Sequence, residues 1–225
     1  MNPNSDMKIK LAIFDFDGTL FDSMFVWDEA GKVFLGSLGK EPKPGMREAV
    51  RTMSMAQSAE YIKSECDIDL SVEEIIEGID KTIENYYINV VQPKPGIPEL
   101  LEELKSSGAS ICIATATDRY LIEAALKRCG LLKFFDVIFT CSEVGAGKDE
   151  PIIFRKAMEH FGADRESTLV FEDSLYATKT AKADGFKVLA VYDQSEKGQD
   201  ELKQVADIYI ESFEDIKSPT ALFNS

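Results

Sequence analysis

The sequence lacks any long uninterrupted apolar run, and its first residues contain no apolar stretch behind a basic region. A membrane-spanning helix needs about 20 consecutive apolar residues, and a secretory signal needs an apolar segment after a positively charged start. We therefore expect a protein that makes no membrane contact and acts in the cytoplasm. Internal repeats and low-complexity tracts are also lacking, and the 44% hydrophobic and 29% charged residues are ordinary for a folded globular protein.

Basic residues are few. Lys and Arg number 25 against 40 Asp and Glu, so the formal net charge is -15 and the pI is near 4.6. Nucleic-acid-binding proteins usually present a basic patch or stripe, and none is visible here, which argues against a nucleic-acid partner. The acidic excess instead favours solubility. The sequence carries no signature of oligomerisation, so a monomer is the default expectation.

Cysteine and histidine are scarce. The four cysteines form no CxxC pair and are predicted to be thiols in or near the core: Cys66, Cys112, Cys129 and Cys141. Cys141 does not fit a cysteine-phosphatase motif, because Gly147 stands where an arginine is expected. The one histidine, His160, falls at the end of a predicted helix, where its charge can complement the helix dipole, so we assign it no catalytic role.

A pair of carboxylates is the most informative feature of the chain. The segment Phe14-Asp15-Phe16-Asp17-Gly18-Thr19-Leu20 follows the apolar run from Ile9 to Phe14. Residues two apart in an extended chain project the same way, and Gly18 allows a sharp turn that exposes both carboxylates. The pair is thus placed at the carboxyl end of a buried strand, where open α/β sheets bind ligands.

Three later apolar segments also end in polar groups. The run 109–114 is followed by Thr115, the run 136–140 by a loop that reaches Lys148, and the run 167–171 by Glu172-Asp173-Ser174. If these segments are parallel strands, their polar ends converge on one edge of a sheet. We read Ser174 as a cap of the following helix.

These residues, in this order, resemble the four motifs of the haloacid dehalogenase superfamily, over nearly the whole chain. Asp15-x-Asp17-Gly18-Thr19 resembles the first motif, Thr115 the second, Lys148 with Pro151 the third, and Glu172-Asp173-Ser174 the fourth. Within the superfamily, the chain is most similar to the helical-capped subfamily I, the group of phosphoglycolate phosphatases and beta-phosphoglucomutases. The resemblance implies an α/β fold, a doubly wound parallel-sheet core with a small inserted helical cap.

The resemblance also implies roles for four residues. Asp15 would be the nucleophile that forms an aspartyl-phosphate, and Asp17 would protonate the leaving alkoxide and later take a proton from the attacking water. Thr115 would hydrogen-bond the transferring phosphoryl group, and Lys148 would place a positive charge between that group and Asp15. Both would therefore contact substrate.

A divalent cation, Mg²⁺, is the cofactor that the resemblance implies. It would be held by the carboxylates of Asp15 and Asp173 and by the backbone carbonyl of Asp17. Glu172 would support the metal directly or through water.

A proline and glycine cluster, Gln92-Pro93-Lys94-Pro95-Gly96, ends a long insertion after the first motif. We predict that residues 1–21 and 93–225 form the core and that residues 22–92 form the cap, a small helical bundle. Its predicted helices span 24–38, 46–52, 55–66 and 71–87, the last with a capping box at Ser71. Phe25, Trp27 and Phe34 are assigned to the bundle core.

In the family such a cap closes over the site and selects the substrate, with hinges here at 20–22 and 92–96. Arg47, Arg51 and Met55 are the candidates for substrate contacts in the cap. Met55 stands where the family often has a basic phosphate-binding residue, which favours a substrate with a single phosphate.

We therefore predict a Mg²⁺-dependent phosphatase that acts on a small phosphorylated metabolite. A phosphosugar mutase and a non-catalytic phospho-ligand binder remain alternatives, although Trp27 stands where such mutases carry a cap histidine. Asp17 argues against carbon-halogen and carbon-phosphorus cleavage, whose enzymes lack an acidic residue there. Asp149 replaces the usual first proline of the lysine motif, which puts the conformation of that loop in question.

Overall fold

A computed structural model describes residues 9–50 and 55–216 of the 225-residue chain. The chain divides into two compact units, with boundaries after Asp22 and after Val90. The sequence places these boundaries after residues 21 and 92. The role of the smaller unit as a cap stays a prediction.

The larger unit contains a six-stranded sheet in the order β5-β4-β1-β6-β7-β8, in which all neighbours are parallel. Two further short strands pair antiparallel outside this sheet. In chain order the strands are β1 (Leu11–Phe14), β2 (Phe21–Asp22), β3 (Gln92–Pro93), β4 (Ser110–Thr115), β5 (Val137–Thr140), β6 (Thr168–Glu172), β7 (Lys187–Val191) and β8 (Ile208–Ile210).

Helices flank the sheet and make up most of the smaller unit. In chain order they are α1 (Met24–Ser37), α2 (Met46–Val50), α3 (Met55–Cys66), α4 (Val72–Asn89), α5 (Ile97–Ser106), α6 (Arg119–Arg128), α7 (Cys141–Val144), α8 (Ile152–His160), α9 (Leu175–Ala183) and α10 (Gln199–Val205). Strands and helices alternate after β3, as parallel pairing requires. The predicted fold class, a parallel-sheet α/β core, is confirmed.

The central strand β1 sets the geometry of the sheet. Each of its four residues is fully buried, and it pairs with β4 on one side and β6 on the other. Phe14 lies opposite Ile113 of β4 and Phe171 of β6, and its ring stacks on that of Phe171 with centroids 4.0 Å apart. Because the three strands are parallel and in register, the residues that follow them emerge side by side.

The smaller unit is built around α4. This helix begins with the predicted capping box, in which Ser71 Oγ accepts from the backbone N–H of Glu74 and the Glu74 carboxylate accepts from the backbone N–H of Ser71. It buries one face at four-residue spacing against α1 and α3: Ile75, Ile79, Ile83 and Tyr87. Such a stripe is what anchors an amphipathic helix.

Two of the three aromatic residues assigned to the bundle core are at least partly buried there, and one is not. Phe34 is buried, and Phe25 packs edge-on against Tyr86 with ring centroids 5.7 Å apart. The assignment of Trp27 is wrong, because its side chain is 44% exposed. It occupies a position on α1 that faces solvent, since Val26 and Ala30 take the buried face of that helix.

The chain leaves and re-enters the larger unit through a short ribbon. Phe21 pairs with Pro93 and Asp22 with Gln92, and the backbone N–H of Lys94 donates to the carbonyl of Leu20 at 2.9 Å. These are the two segments predicted as hinges. Their pairing brings together the two points at which the chain passes from one unit to the other.

The sequence patterns above do not predict strands β7 and β8 or helix α10. The two strands extend the sheet beyond β6. The four cysteines are free thiols, of which Cys112 is buried and the others half-buried, as predicted. Across residues 9–50 and 55–216, no helix has both the length and the apolar character needed to cross a bilayer.

Candidate active site

The first predicted motif is a tight turn directly after β1. Asp15 is buried, and its backbone N–H donates to the carbonyl of Phe171 at 2.9 Å, which continues the sheet by one residue. The chain then turns back, so that Gly18 N–H donates to the carbonyl of Phe21 and Phe21 N–H to the carbonyl of Phe16, both at 2.9 Å. Gly18 adopts φ 79°, a left-handed conformation that favours glycine and allows this reversal.

Lys148 joins the ends of β1 and β6. Its Nζ atom donates to Oδ1 of Asp15 and, at 2.6 Å, to Oε1 of Glu172. All three side chains are buried, with Lys148 3% and Glu172 1% exposed. Residues that lie far apart in the chain thus form one ion cluster at the edge of the sheet, where the motif order predicts it.

The charges in this cluster perturb one another. Burial raises the pKa of Asp15 to about 7, even though the Lys148 ammonium lowers it. Burial alone would lower the pKa of Lys148, but the carboxylates of Asp15 and Glu172 outweigh it and raise that pKa. Burial also raises the pKa of Asp173 well above its usual range, with Glu172 and Asp15 adding to the effect. The cluster holds more negative charge than one lysine can neutralise.

Glu172 is fixed through both of its oxygens. While Oε1 accepts from Lys148, Oε2 accepts from the backbone N–H groups of Asp173 and Ser174, at 3.0 and 3.1 Å, and from the Ser174 hydroxyl at 2.9 Å. The prediction that Ser174 caps the following helix is correct for its position but wrong for its hydrogen bond. It occupies the first position before α9, but its side chain makes no capping hydrogen bond there and turns back to Glu172.

Three carboxylates could hold a metal ion together. Oxygen atoms of Asp15, Glu172 and Asp173 lie within 4.8 Å of one another. Asp173 is oriented by Thr19, whose buried hydroxyl donates to Oδ1 at 3.0 Å. An all-oxygen donor set with excess negative charge fits a hard divalent cation such as Mg²⁺. The residues present therefore suit the cofactor implied by the sequence.

Thr115 ends β4 and is 1% exposed. Its hydroxyl oxygen accepts from the backbone N–H of Thr117 at 3.1 Å. The Thr117 hydroxyl in turn donates to Oδ2 of Asp17 at 2.5 Å, so the ends of β1 and β4 are linked through side chains. Thr117 is not among the residues predicted from the sequence. The signal was the second hydroxyl in Thr115-Ala116-Thr117.

The loop that carries Lys148 begins at α7, where the Thr140 hydroxyl accepts from the backbone N–H of Glu143 at 3.2 Å. Asp149, the residue in place of the usual proline, folds back toward Gly147. A Cβ atom at Gly147 would lie 2.5 Å from Oδ1 of Asp149. Asp149 is exposed, so the acidic side chain at this position lies in solvent and is not packed into the buried cluster.

The structure does not test the three substrate contacts that are predicted in the insertion. Arg51 lies outside the described residues. Arg47 belongs to α2 and Met55 to α3, but their side chains also fall outside the described part of the chain. These three assignments stay predictions.

Known proteins share this sequence pattern and this fold. Residues 9–185 match the family described as haloacid dehalogenase-like hydrolase. A Phosphorylated carbohydrates phosphatase from Thermotoga maritima is 26% identical, over 80% of this chain and 83% of that protein. The Pyrophosphatase PpaX of Bacillus cereus is 30% identical, over 82% of this chain and 84% of that protein.

The fold is also similar to a solved structure. The crystal structure of a beta-phosphoglucomutase candidate from Thermotoga maritima superposes with a TM-score of 0.80, at 24% identity, covering 96% of this chain and 97% of that one. At this level of identity the likeness shows the fold alone. The four motif segments meet at one edge of a parallel sheet, and the family match covers most of the sequence. The chain therefore belongs to the haloacid dehalogenase-like hydrolases.

Proposed function

We propose that this protein is a Mg²⁺-dependent phosphatase that hydrolyses a small phosphomonoester through an aspartyl-phosphate on Asp15. The observation that carries the proposal is the buried cluster of Asp15, Lys148, Glu172 and Asp173 at the carboxyl edge of the sheet. Relatives named as phosphatases and pyrophosphatases support the reaction class.

In the first half-reaction, a carboxylate oxygen of Asp15 attacks phosphorus. The new oxygen–phosphorus bond forms as the ester oxygen–phosphorus bond breaks, and the ester oxygen keeps the electron pair. Asp17 gives its proton to that oxygen, so the product leaves as an alcohol. Asp15 suits this role because the backbone of β6 and the Lys148 ammonium fix its position.

In the second half-reaction, water attacks the phosphorus of the aspartyl-phosphate, and the bond to the Asp15 oxygen breaks. Asp17 takes the proton of the attacking water, which returns it to its starting state. The half-buried position of Asp17, at the edge of the buried cluster, suits a group that meets first an alcohol and then water.

Lys148 and Thr115 would bind the transferring phosphoryl group. The ammonium of Lys148 offsets the negative charge that collects on the phosphoryl oxygens during transfer, and Glu172 holds that ammonium in place. Thr115 adds a hydroxyl donor at the neighbouring strand end. A buried site strengthens both interactions, because water screens them less there.

The magnesium ion would be held by the carboxylates of Asp15 and Asp173 and by the backbone carbonyl of Asp17. When bound, it neutralises phosphoryl charge and acts as a Lewis acid. Thr19 orients Asp173 for this role. Glu172 would support the metal directly or through water, and its hydrogen bonds to Lys148 and to the 173–174 backbone hold its carboxylate in place for this.

The smaller unit would be a cap that selects the substrate, with Arg47, Arg51 and Met55 as its contacts. We place the enzyme in the cytoplasm as a monomer that acts on small metabolites. Trp27 in place of the cap histidine of mutases favours release of phosphate over its transfer between hydroxyls.

Release of inorganic phosphate tests the proposal. A panel of sugar monophosphates, phosphoglycolate and pyrophosphate would be assayed with Mg²⁺, for the wild type, for Asp15→Asn, and for Asp200→Asn as a control. Asp200 is an exposed aspartate in the first turn of α10. We expect release in the wild type and the control, and none in Asp15→Asn. Equal release in all three proteins, or none in the wild type, would refute the function.

A further inference from the structure

Two residues one hundred positions apart meet beside the nucleophile. The hydroxyl of Thr117 donates to Oδ2 of Asp17 at 2.5 Å, and Thr117 is only 6% exposed. Asp17 belongs to the turn after β1, and Thr117 to the segment between β4 and α6. A short bond from a nearly buried hydroxyl restricts the rotation of the carboxyl group that accepts it.

The segment that carries Thr117 is itself held on both sides. Before it, the Thr117 backbone N–H donates to the Thr115 hydroxyl oxygen at 3.1 Å. After it, Arg119 binds both carboxylate oxygens of Glu143, at 2.6 and 2.7 Å, and also donates to the carbonyl of Ile138 at 2.6 Å. The segment 117–119 is therefore anchored to β4, β5 and α7, which limits the movement of the Thr117 hydroxyl beside Asp17.

A hydroxyl group is chemically suited to this contact. It can donate to Oδ2 of Asp17 both when the carboxyl group is ionised and when it carries its proton on Oδ1, and unlike a lysine or arginine it adds no positive charge that would oppose protonation. Under the proposed function, Asp17 holds a proton in one half-reaction and lacks it in the other. A threonine partner can keep the same carboxyl oxygen in place in both halves.

We propose that Thr117 is a positioning residue for Asp17: it orients the carboxyl group that protonates the leaving alkoxide and then accepts the proton of water. This inference rests on the proposed phosphatase function. Thr117 forms no bond to phosphorus and gives up no proton in the net reaction. It acts on the rate only through the placement of Asp17.

Substrates whose leaving groups differ in their need for a proton distinguish this positioning role from a purely structural role. The phenolate of p-nitrophenyl phosphate departs without a proton, but an alkoxide does not. Loss of Thr117 should therefore slow the phosphorylation step for an alkyl phosphate and spare that step for the aryl ester. Hydrolysis of the aspartyl-phosphate needs Asp17 with either substrate, so it should slow with both.

The test compares Thr117→Val, which removes the hydroxyl at nearly constant volume, with Thr117→Ser, which keeps it. With Mg²⁺ and p-nitrophenyl phosphate, we expect Thr117→Val to release a burst of p-nitrophenolate at close to the wild-type rate. Its steady-state turnover and its phosphorylation by an alkyl ester should fall about tenfold to a hundredfold, which is at or below the lower end of the about 10²–10⁴-fold range of full general acid–base catalysis because Asp17 is displaced and not removed. Thr117→Ser should recover most of the steady-state turnover and most of the rate of phosphorylation by the alkyl ester.

Equal loss of the burst rate with both esters would show that the hydroxyl acts on the fold or on the nucleophile, and would overturn the inference. Unchanged alkyl turnover in Thr117→Val, or no recovery in Thr117→Ser, would do the same. Thr117→Ala serves if the valine variant does not fold, with thermal unfolding as the check. A wild type without turnover would refute the proposed function and this inference with it.

Discussion

The Nζ atom of Lys148 lies 2.6 Å from Oε1 of Glu172, and both side chains are almost completely buried. The same ammonium also binds Asp15, so one positive charge serves the ends of two strands. Removing one partner of a buried ion pair leaves the other charge uncompensated, which costs about 3–5 kcal/mol. We therefore expect Lys148 to stabilise the fold in addition to the catalytic role proposed for it.

Lys148→Met should lower the free energy of unfolding of the metal-free protein by about 3–5 kcal/mol at pH 8, because Asp15 and Glu172 lose their counter-charge. Urea denaturation in the presence of a chelator measures this. Lys10→Met is the matched control: Lys10 pairs with Asp164 at 3.8 Å on the surface, where a pair contributes about 1 kcal/mol or less. Similar losses in the two variants would contradict a special role for the buried cluster.

Asp15→Asn and Asp17→Asn should both abolish nearly all phosphate release, but at different steps. An amide at position 15 cannot form the acyl phosphate. An amide at position 17 can neither give nor take the proton, which costs about 10²–10⁴-fold in rate. Mass spectrometry of protein quenched in acid should show a phosphorylated Asp15 in the wild type and none in Asp15→Asn. Wild-type rates in either folded variant would exclude the assigned roles.

Chelation should stop turnover, and Mg²⁺ should restore it. Binding should also raise the melting temperature, since a ligand at a hundredfold its Kd stabilises the folded state by about 2.7 kcal/mol. Asp173→Asn should lose this shift, whereas Thr19→Val, which removes only the hydroxyl that orients Asp173, should weaken it. A full shift in Asp173→Asn would show that the metal binds elsewhere.

Stability of the metal-free protein should fall as the pH rises from about 4 to about 7. The pKa of Asp15 is near its usual value of 3.8 in the unfolded chain but about 7 in the folded protein. The folded state therefore binds this proton more tightly, and the associated stabilisation is complete below about pH 4 and is lost through pH 7. The raised pKa of Asp173 acts in the same direction.

Melting temperatures measured with chelator at pH 5 and pH 8 test this dependence of stability on pH. Asp15→Asn should flatten it, because an amide does not titrate. Saturating Mg²⁺ should reduce it, since the cation favours the ionised carboxylates. A metal-free protein that is more stable at pH 8 than at pH 5 would contradict the raised pKa of the buried Asp15 carboxyl group.

The strand ends could be predicted from the sequence because each apolar run stops at a polar residue. Asp15, Thr115 and Glu172 follow or end β1, β4 and β6, and parallel pairing alone brings them together. Motif order predicts Lys148 as a site residue, and its ammonium binds the carboxylates of Asp15 and Glu172 in the structure.

Contacts made by short polar side chains across strands could not be predicted. The bond from Thr117 to Asp17 depends on the turn that follows β4. The Ser174 hydroxyl bonds to Glu172 in place of capping α9, and the sequence does not distinguish these two local contacts. The exposure of Trp27 depends on which face of α1 packs against α4. Hydrophobicity alone does not fix that face when Val26 and Phe25 flank it.

The ribbon of β2 and β3 has a consequence for how such enzymes diversify. Asp22 and Gln92 are paired across these two strands, so the chain leaves and re-enters the larger unit at adjoining points. An inserted segment whose ends are adjacent can be lengthened, shortened or exchanged without altering the path of the host chain. The sheet that carries the candidate active site can therefore stay unchanged while the inserted segment varies. New substrate ranges can evolve, or be engineered, by replacing the segment between these two strands.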